Sequence, residues 1–171
     1  KKYYQNRGYF DIKIKSATAI ITDENQFELI FNINSGNKFF FNNIQILNKE
    51  NYQIENIEIF EKQLKKLEGK EYSKKKIDSF IDELNEYILQ NNFIFVNAKY
   101  KEIIKEQDKI NINISLDELE KQYVNRINIF GNFITDEKVI RNEFIVDEGD
   151  AFNDVLFNKS ISKIKARNIF K

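Results

Sequence analysis

Phe40-Phe41-Asn42-Asn43-Ile44-Gln45-Ile46 and, further along the chain, Tyr123-Val124-Asn125-Arg126-Ile127-Asn128-Ile129 are one pattern written twice. Their apolar positions coincide. Glu68-Gly69 returns as Glu148-Gly149, and behind it Tyr72, Ile77, Ile81 and Leu84 are answered by Phe152, Phe157, Ile161 and Ile164. Gln5-Asn6 returns as Gln90-Asn91, each pair standing just before a predicted hairpin. Three landmarks at nearly one period mark a tandem repeat of roughly 80 residues.

The local periods say what repeats. Ile110, Ile112, Ile114 and Leu116 alternate with Asn111, Asn113 and Ser115, as a half-buried strand requires. Phe27, Leu29, Phe31 and Ile33 alternate in the same way. Each run follows another extended segment, residues 10–19 and 95–104, across polar turns at Asp23-Glu24-Asn25 and Glu106-Gln107-Asp108, so two hairpins are predicted. Between the hairpins, Ile77, Phe80, Ile81, Leu84 and Ile88 share one helical face behind Ser73, a suitable N-cap. A shorter stripe, Ile57, Phe60, Leu64 and Leu67, runs up to Gly69, a residue suited to the positive φ that ends a helix. The unit is strand, helix, helix, strand, strand, an α+β module. The chain holds the closing hairpin of one unit (residues 1–36), a whole unit (37–119) and the opening strand and helices of another (120–171).

Composition narrows the function. Without His or Cys no Ser-His or Cys-His pair can form, and the carboxylates lie in charged stretches with none of the apolar surroundings that raise a catalytic pKa. Neither enzyme, cofactor nor metal is expected. A calcium loop starting at Asp23 would need Gly at its sixth position, where Glu28 stands. Lys+Arg and Asp+Glu are both 27, which leaves no net field to gather phosphate backbones. An RNA-binding KH-like module would need a G-x-x-G loop between its helices, and Gly69-Lys70-Glu71-Tyr72 and Gly149-Asp150-Ala151-Phe152 lack the second Gly. With no Met, the chain reads as an internal piece of a longer one. Gly131-Asn132 reads as turn chemistry. The run Lys74-Lys75-Lys76 reads as a solvated helix face.

A β-α-α-β-β unit in tandem resembles the POTRA module. The stretch Tyr123 to Asn132, with Thr135, Val139-Ile140-Arg141-Asn142-Glu143 and Glu148-Gly149-Asp150-Ala151-Phe152-Asn153, resembles the last POTRA of the BamA family of bacterial outer-membrane β-barrel assembly factors. The opening, Tyr4-Gln5-Asn6-Arg7-Gly8-Tyr9-Phe10 with Ser16-Ala17-Thr18-Ala19, resembles the end of that family's third module, which makes the whole unit the fourth. One departure is Ala166-Arg167-Asn168-Ile169-Phe170, where family members place a Gly. The resemblance implies a non-catalytic scaffold on the periplasmic face of the outer membrane of a Gram-negative bacterium, followed by a membrane barrel. Its implied partners are unfolded outer-membrane proteins, assembly-machine lipoproteins and a periplasmic chaperone, with no nucleic acid or small-molecule substrate. The second strand of each unit would be an open edge for β-augmentation: Ile12, Lys13, Ile14 and Lys15 in one, Val96, Asn97, Ala98, Lys99 and Tyr100 in the other. Arg141 and Glu148 would dock a lipoprotein, while Gly69, Gly131, Asn132 and Gly149 shape turns. The alternative is a translocation or two-partner secretion transporter built on the same module.

Overall fold

The computed structural model describes residues 1–23, 26–106 and 108–168. Parts of both expected hairpin turns (residues 24, 25 and 107) and Ile169-Phe170 lie outside that set. The elements run α1 (Lys2–Gln5), β1 (Lys13–Asp23), β2 (Gln26–Asn34), β3 (Phe40–Leu47), α2 (Glu58–Lys65), α3 (Lys74–Gln90), β4 (Val96–Lys105), β5 (Lys109–Glu118), α4 (Glu137–Arg141) and α5 (Asp154–Ala166). The mixed α+β class follows. The chain divides into two compact units, Lys1–Leu84 with Ala98–Leu116, and Asn85–Asn97 with Asp117–Lys171. These cuts fall inside α3, β4 and β5.

In the first unit β1 and β2 form an antiparallel pair, and a three-stranded sheet has the order β3-β5-β4. The central strand β5 runs parallel to β3, with Phe41 opposite Ile110, Ile44 opposite Ile112 and Ile46 opposite Ile114. Parallel neighbours need a crossover, and the two helices between β3 and β4 supply it. The alternation read from the sequence holds residue by residue: Ile110, Ile112, Ile114 and Leu116 are fully buried. Ile57, Phe60 and Leu64 bring one stripe to this core and Ile77, Phe80, Ile81 and Leu84 the other, all buried. Phe60 and Phe80 meet edge to face at 5.8 Å. The carbonyl of Ser73 accepts from the N–H groups of Lys76 and Ile77, which sets Ser73 at the N-cap of α3. Asn6 adds a cap from far along the chain, its Oδ1 accepting from the Lys75 N–H at 2.9 Å. Beside it Phe10 packs on Phe39 and Tyr72, at 5.6 and 5.2 Å between rings.

In the second unit the strand predicted over residues 123–129 is not formed. Among the described residues it makes one isolated bridge, Tyr123 to Ala151. A strand exists only where a partner completes its ladder, and the described residues bring none beside it. Helix α5 begins at Asn153, whose Oδ1 accepts from the Val155 N–H at 2.9 Å. Ile140 and Val146 are buried, whereas Phe157 is 40% exposed and Ile127, Ile129 and Ile161 are half-buried.

Candidate functional site

The repeat is visible in the main chain as one hydrogen-bonded clasp built twice. In the first unit Phe41 donates to Lys70 O at 3.0 Å, Gly69 donates to Phe41 O at 2.8 Å, and Tyr72 donates to Phe39 O at 2.8 Å. In the second, Val124 donates to Asp150 O at 2.8 Å, Gly149 donates to Val124 O at 2.6 Å, and Phe152 donates to Gln122 O at 2.8 Å. The clasp turns on glycine because φ is +77° at Gly69 and +96° at Gly149, a region that side chains oppose. Gly69 stands beyond the Lys66 C-cap of α2 and closes the turn onto β3 rather than capping the helix directly. A carboxylate completes each clasp: Glu68 Oε1 accepts from the Ile44 N–H at 3.1 Å, and Glu148 Oε1 from the Ile127 N–H at 3.0 Å. In the first unit this bond falls where the β3–β5 register shifts between Phe41 and Ile44, and it supplies a partner for the N–H just past the bulge.

This geometry places the expected docking pair. Arg141 and Glu148 are brought together, Nη1 to Oε1 at 3.5 Å, with side chains 37% and 43% exposed. Both are also engaged within the chain. Arg141 donates through Nε to Glu137 at 2.7 Å and through Nη2 to Ile127 O at 2.8 Å. The Ile127 N–H, and after it the Arg141 guanidinium, hold the Glu148 carboxyl below the usual carboxylate range. The pair therefore brackets the two main-chain polar groups of Ile127.

The expected edge is partly corrected. β4 lies at one side of the three-stranded sheet, next to β5. Lys99 is exposed, Asn97 and Tyr100 are half-buried, and Val96 and Ala98 turn into the core. In the other hairpin, Lys13, Ile14 and Lys15 belong to β1 and are exposed. Ile12 does not: it precedes the strand and is 3% exposed, because the segment following Phe10 is drawn into the core. Of the turn residues, Gly131 has φ +82° and Asn132 donates from Nδ2 to Thr135 O at 3.2 Å. The same turn leaves Phe130, Phe133 and Ile134 almost wholly in solvent.

Sequence reading missed a polar brace beneath β4. Tyr72 donates to Glu102 Oε1 at 2.5 Å, Tyr100 donates to Asp78 Oδ1 at 2.5 Å, and Lys74 Nζ donates to the Tyr100 hydroxyl at 2.6 Å. Burial first, and then the bond to Glu102, push the Tyr72 phenol far up. Burial and the bond to Asp78 push Tyr100 up to about 12. Burial, the largest single influence on Lys74, works against its charge, but the Tyr100 hydroxyl and the nearby carboxylates outweigh it and its pKa is raised. Lys74 is thus part of the brace and not a solvated charge. The signal was Tyr100 and Glu102 at the inward parity of Val96 and Ala98, two polar residues where an apolar pair would continue the core.

The fold is that of POTRA modules. Residues 122–169 match the family model POTRA, described as surface antigen variable number repeat. The crystal structure of POTRA domains 3 to 5 of Haemophilus influenzae BamA superposes with a TM-score of 0.66 over 99% of this chain and 67% of that one, at 16% identity. In sequence the chain is 26% identical to the outer membrane protein assembly factor BamA of Buchnera aphidicola, over 87% of this chain. It spans about a quarter of that relative, 26% of its length. These findings bear out the resemblance to POTRA domains of BamA.

Proposed function

We propose that this chain is a stretch of the periplasmic POTRA scaffold of an outer-membrane protein assembly factor, spanning the end of one module (1–36), a whole one (37–119) and the start of the next (120–171). It works by holding polypeptides and carries out no chemistry. The observation that carries the reading is the position of β4, at the side of a sheet whose core is sealed by α2 and α3, with the lysines of its outer face in solvent. Such a strand offers main-chain groups to an extended guest, while alternating lysines discourage irreversible pairing. The brace from Tyr72, Asp78 and Lys74 holds Tyr100 and Glu102 from within, so the edge is presented as a rigid template. Unfolded outer-membrane proteins are the guests, with β1 as a second edge. Arg141 and Glu148, half-exposed at the second clasp, dock an assembly-machine lipoprotein. A longer protein of this kind carries a membrane barrel after the modules.

The test is a titration with a peptide copied from a barrel strand, read by amide exchange. Exchange along residues 96–101 should slow, and Lys99→Ala should change the affinity by less than about twofold, because backbone groups carry the contact. Protection confined to other segments, or binding abolished by Lys99→Ala, would refute the edge reading.

A further inference from the structure

Strand β4 changes character along the face it turns to α3. Val96 and Ala98 are buried in the apolar core, but the next two residues of that parity are Tyr100 and Glu102. The brace that receives them is unevenly filled, with two carboxylates, Asp78 and Glu102, against one cation, Lys74. Each carboxylate uses a single oxygen: Asp78 Oδ1 accepts from the Tyr100 hydroxyl and from Lys74 Nζ, and Glu102 Oε1 accepts from the Tyr72 hydroxyl. Among the described residues no hydrogen bond reaches Asp78 Oδ2 or Glu102 Oε2. The Asp78 side chain is 49% exposed, so its second oxygen is open to a newcomer. On the other face of β4 stand Lys99 and Lys101, both exposed and without an ion-pair partner among the described residues. The strand therefore offers acceptors on one face and cations on the other. All of these residues lie between β3 and β5, the stretch that carries every element of the repeat.

We infer that the β4 edge selects its guest by a basic side chain, an Arg or Lys on the face of the guest strand turned toward α3, held by Asp78 Oδ2 and Glu102 Oε2. The inference rests on the reading of β4 as an edge for extended polypeptide and adds what that edge discriminates. A strand laid beside β4 sends alternate side chains to the two faces of the sheet, and those level with Tyr100 and Glu102 come within about 5 Å of them, Cβ to Cβ. An apolar side chain placed there would cover the two carboxylates without giving them a donor, and an acidic one would add a third negative charge. A base satisfies both oxygens. Turned the other way, the same base would face Lys99 and Lys101 and be repelled. One basic residue thus fixes which face of the guest turns inward, and with it the register, because a slip of one residue exchanges the faces. Main-chain bonds hold the guest and the carboxylates choose how it lies. A strand of a membrane barrel, polar at alternate residues, can present a base in this way.

Two peptides of about ten residues, copied from one alternating barrel strand and differing only in Arg or Glu at the centre of the polar face, test this on the whole chain. Each is titrated, and amide exchange is followed along residues 96–101. The double variant Asp78→Asn with Glu102→Gln keeps an acceptor for each tyrosine and removes both charges. It should bind the Arg peptide about fivefold more weakly than the parent, while its affinity for the Glu peptide should fall by less than about twofold or rise. Lys74→Gln keeps a donor to the Tyr100 hydroxyl and removes the competing cation, so it should strengthen binding of the Arg peptide by about twofold or more, a gain that damage to the brace could not produce. Equal losses for the two peptides in the double variant, no loss for the Arg peptide, or no gain from Lys74→Gln would overturn the inference. In those cases protection of residues 96–101 would leave the edge reading standing. If neither peptide slows exchange there, both fail together.

Discussion

Strands β2 and β5 carry the same alternation and meet opposite fates. Ile110, Ile112, Ile114 and Leu116 are fully buried, whereas Phe27, Leu29 and Phe31 are 67%, 57% and 56% exposed. The difference lies in what covers each strand. β5 has β3 and β4 on its two sides and α2 and α3 over one face, while β2, among the described residues, pairs with β1 alone. An alternating sequence fixes which face is apolar; whether burial of that face stabilises anything depends on the elements laid over it.

Paired truncations turn that contrast into energies. Ile112→Ala should cost about 3 kcal/mol, a transfer loss plus a cavity beneath packed helices. Leu29→Ala should cost less than about 0.5 kcal/mol in dilute solution, since the side chain already meets water. Urea unfolding of both variants checks this, and equal costs would break the comparison.

The brace gives the next effect in size. Tyr72→Phe should cost about 2 kcal/mol, because it strips the half-buried Glu102 carboxylate of its donor. Tyr100 sharpens the point through pH. Its folded pKa, pushed up to about 12, lies above the ordinary phenol value. The unfolded chain therefore ionises first; the contribution is whole below about pH 10 and is lost as pH rises through about 12. Alkaline difference spectra of the parent against Tyr100→Phe should show one phenol titrating late, and a phenol that titrates near 10 would contradict the brace.

The smallest effect is local. Glu148 has a folded pKa below its ordinary value, so what it adds is present above the usual carboxylate range and fades as pH falls through the folded pKa. Glu148→Gln should speed exchange of the Ile127 amide by about tenfold while leaving the first unit untouched, and Glu68→Gln should do the same at Ile44 only. Glu148→Lys should in addition lose lipoprotein capture. A variant that opens the clasp but still captures the partner would separate the structural role of this carboxylate from a docking role.

Much of this was legible from the chain alone. Strict alternation and two helical stripes located the hairpins and helices, and Glu68-Gly69 with Glu148-Gly149 marked the repeat, though not the clasp that these residues build. Three features were not legible, each for a physical reason. Ile12 looked like an edge residue because period 2 cannot tell where a strand begins, and the packing of Phe10 decided it. Residues 123–129 have the pattern of a strand, but pairing is a property of two segments. The resemblance implies a docking role for Arg141 and Glu148, and what sequence could not show beside it is that the pair also holds the backbone groups of Ile127.

The measurement that bears most directly on the account is residue-resolved amide exchange on the dilute chain. One alternating pattern with two coverings predicts that the amides of residues 110–116 exchange only with global unfolding, while those of residues 27–33 exchange at least about a hundredfold faster. Uniform protection of both strands in dilute monomer would contradict it.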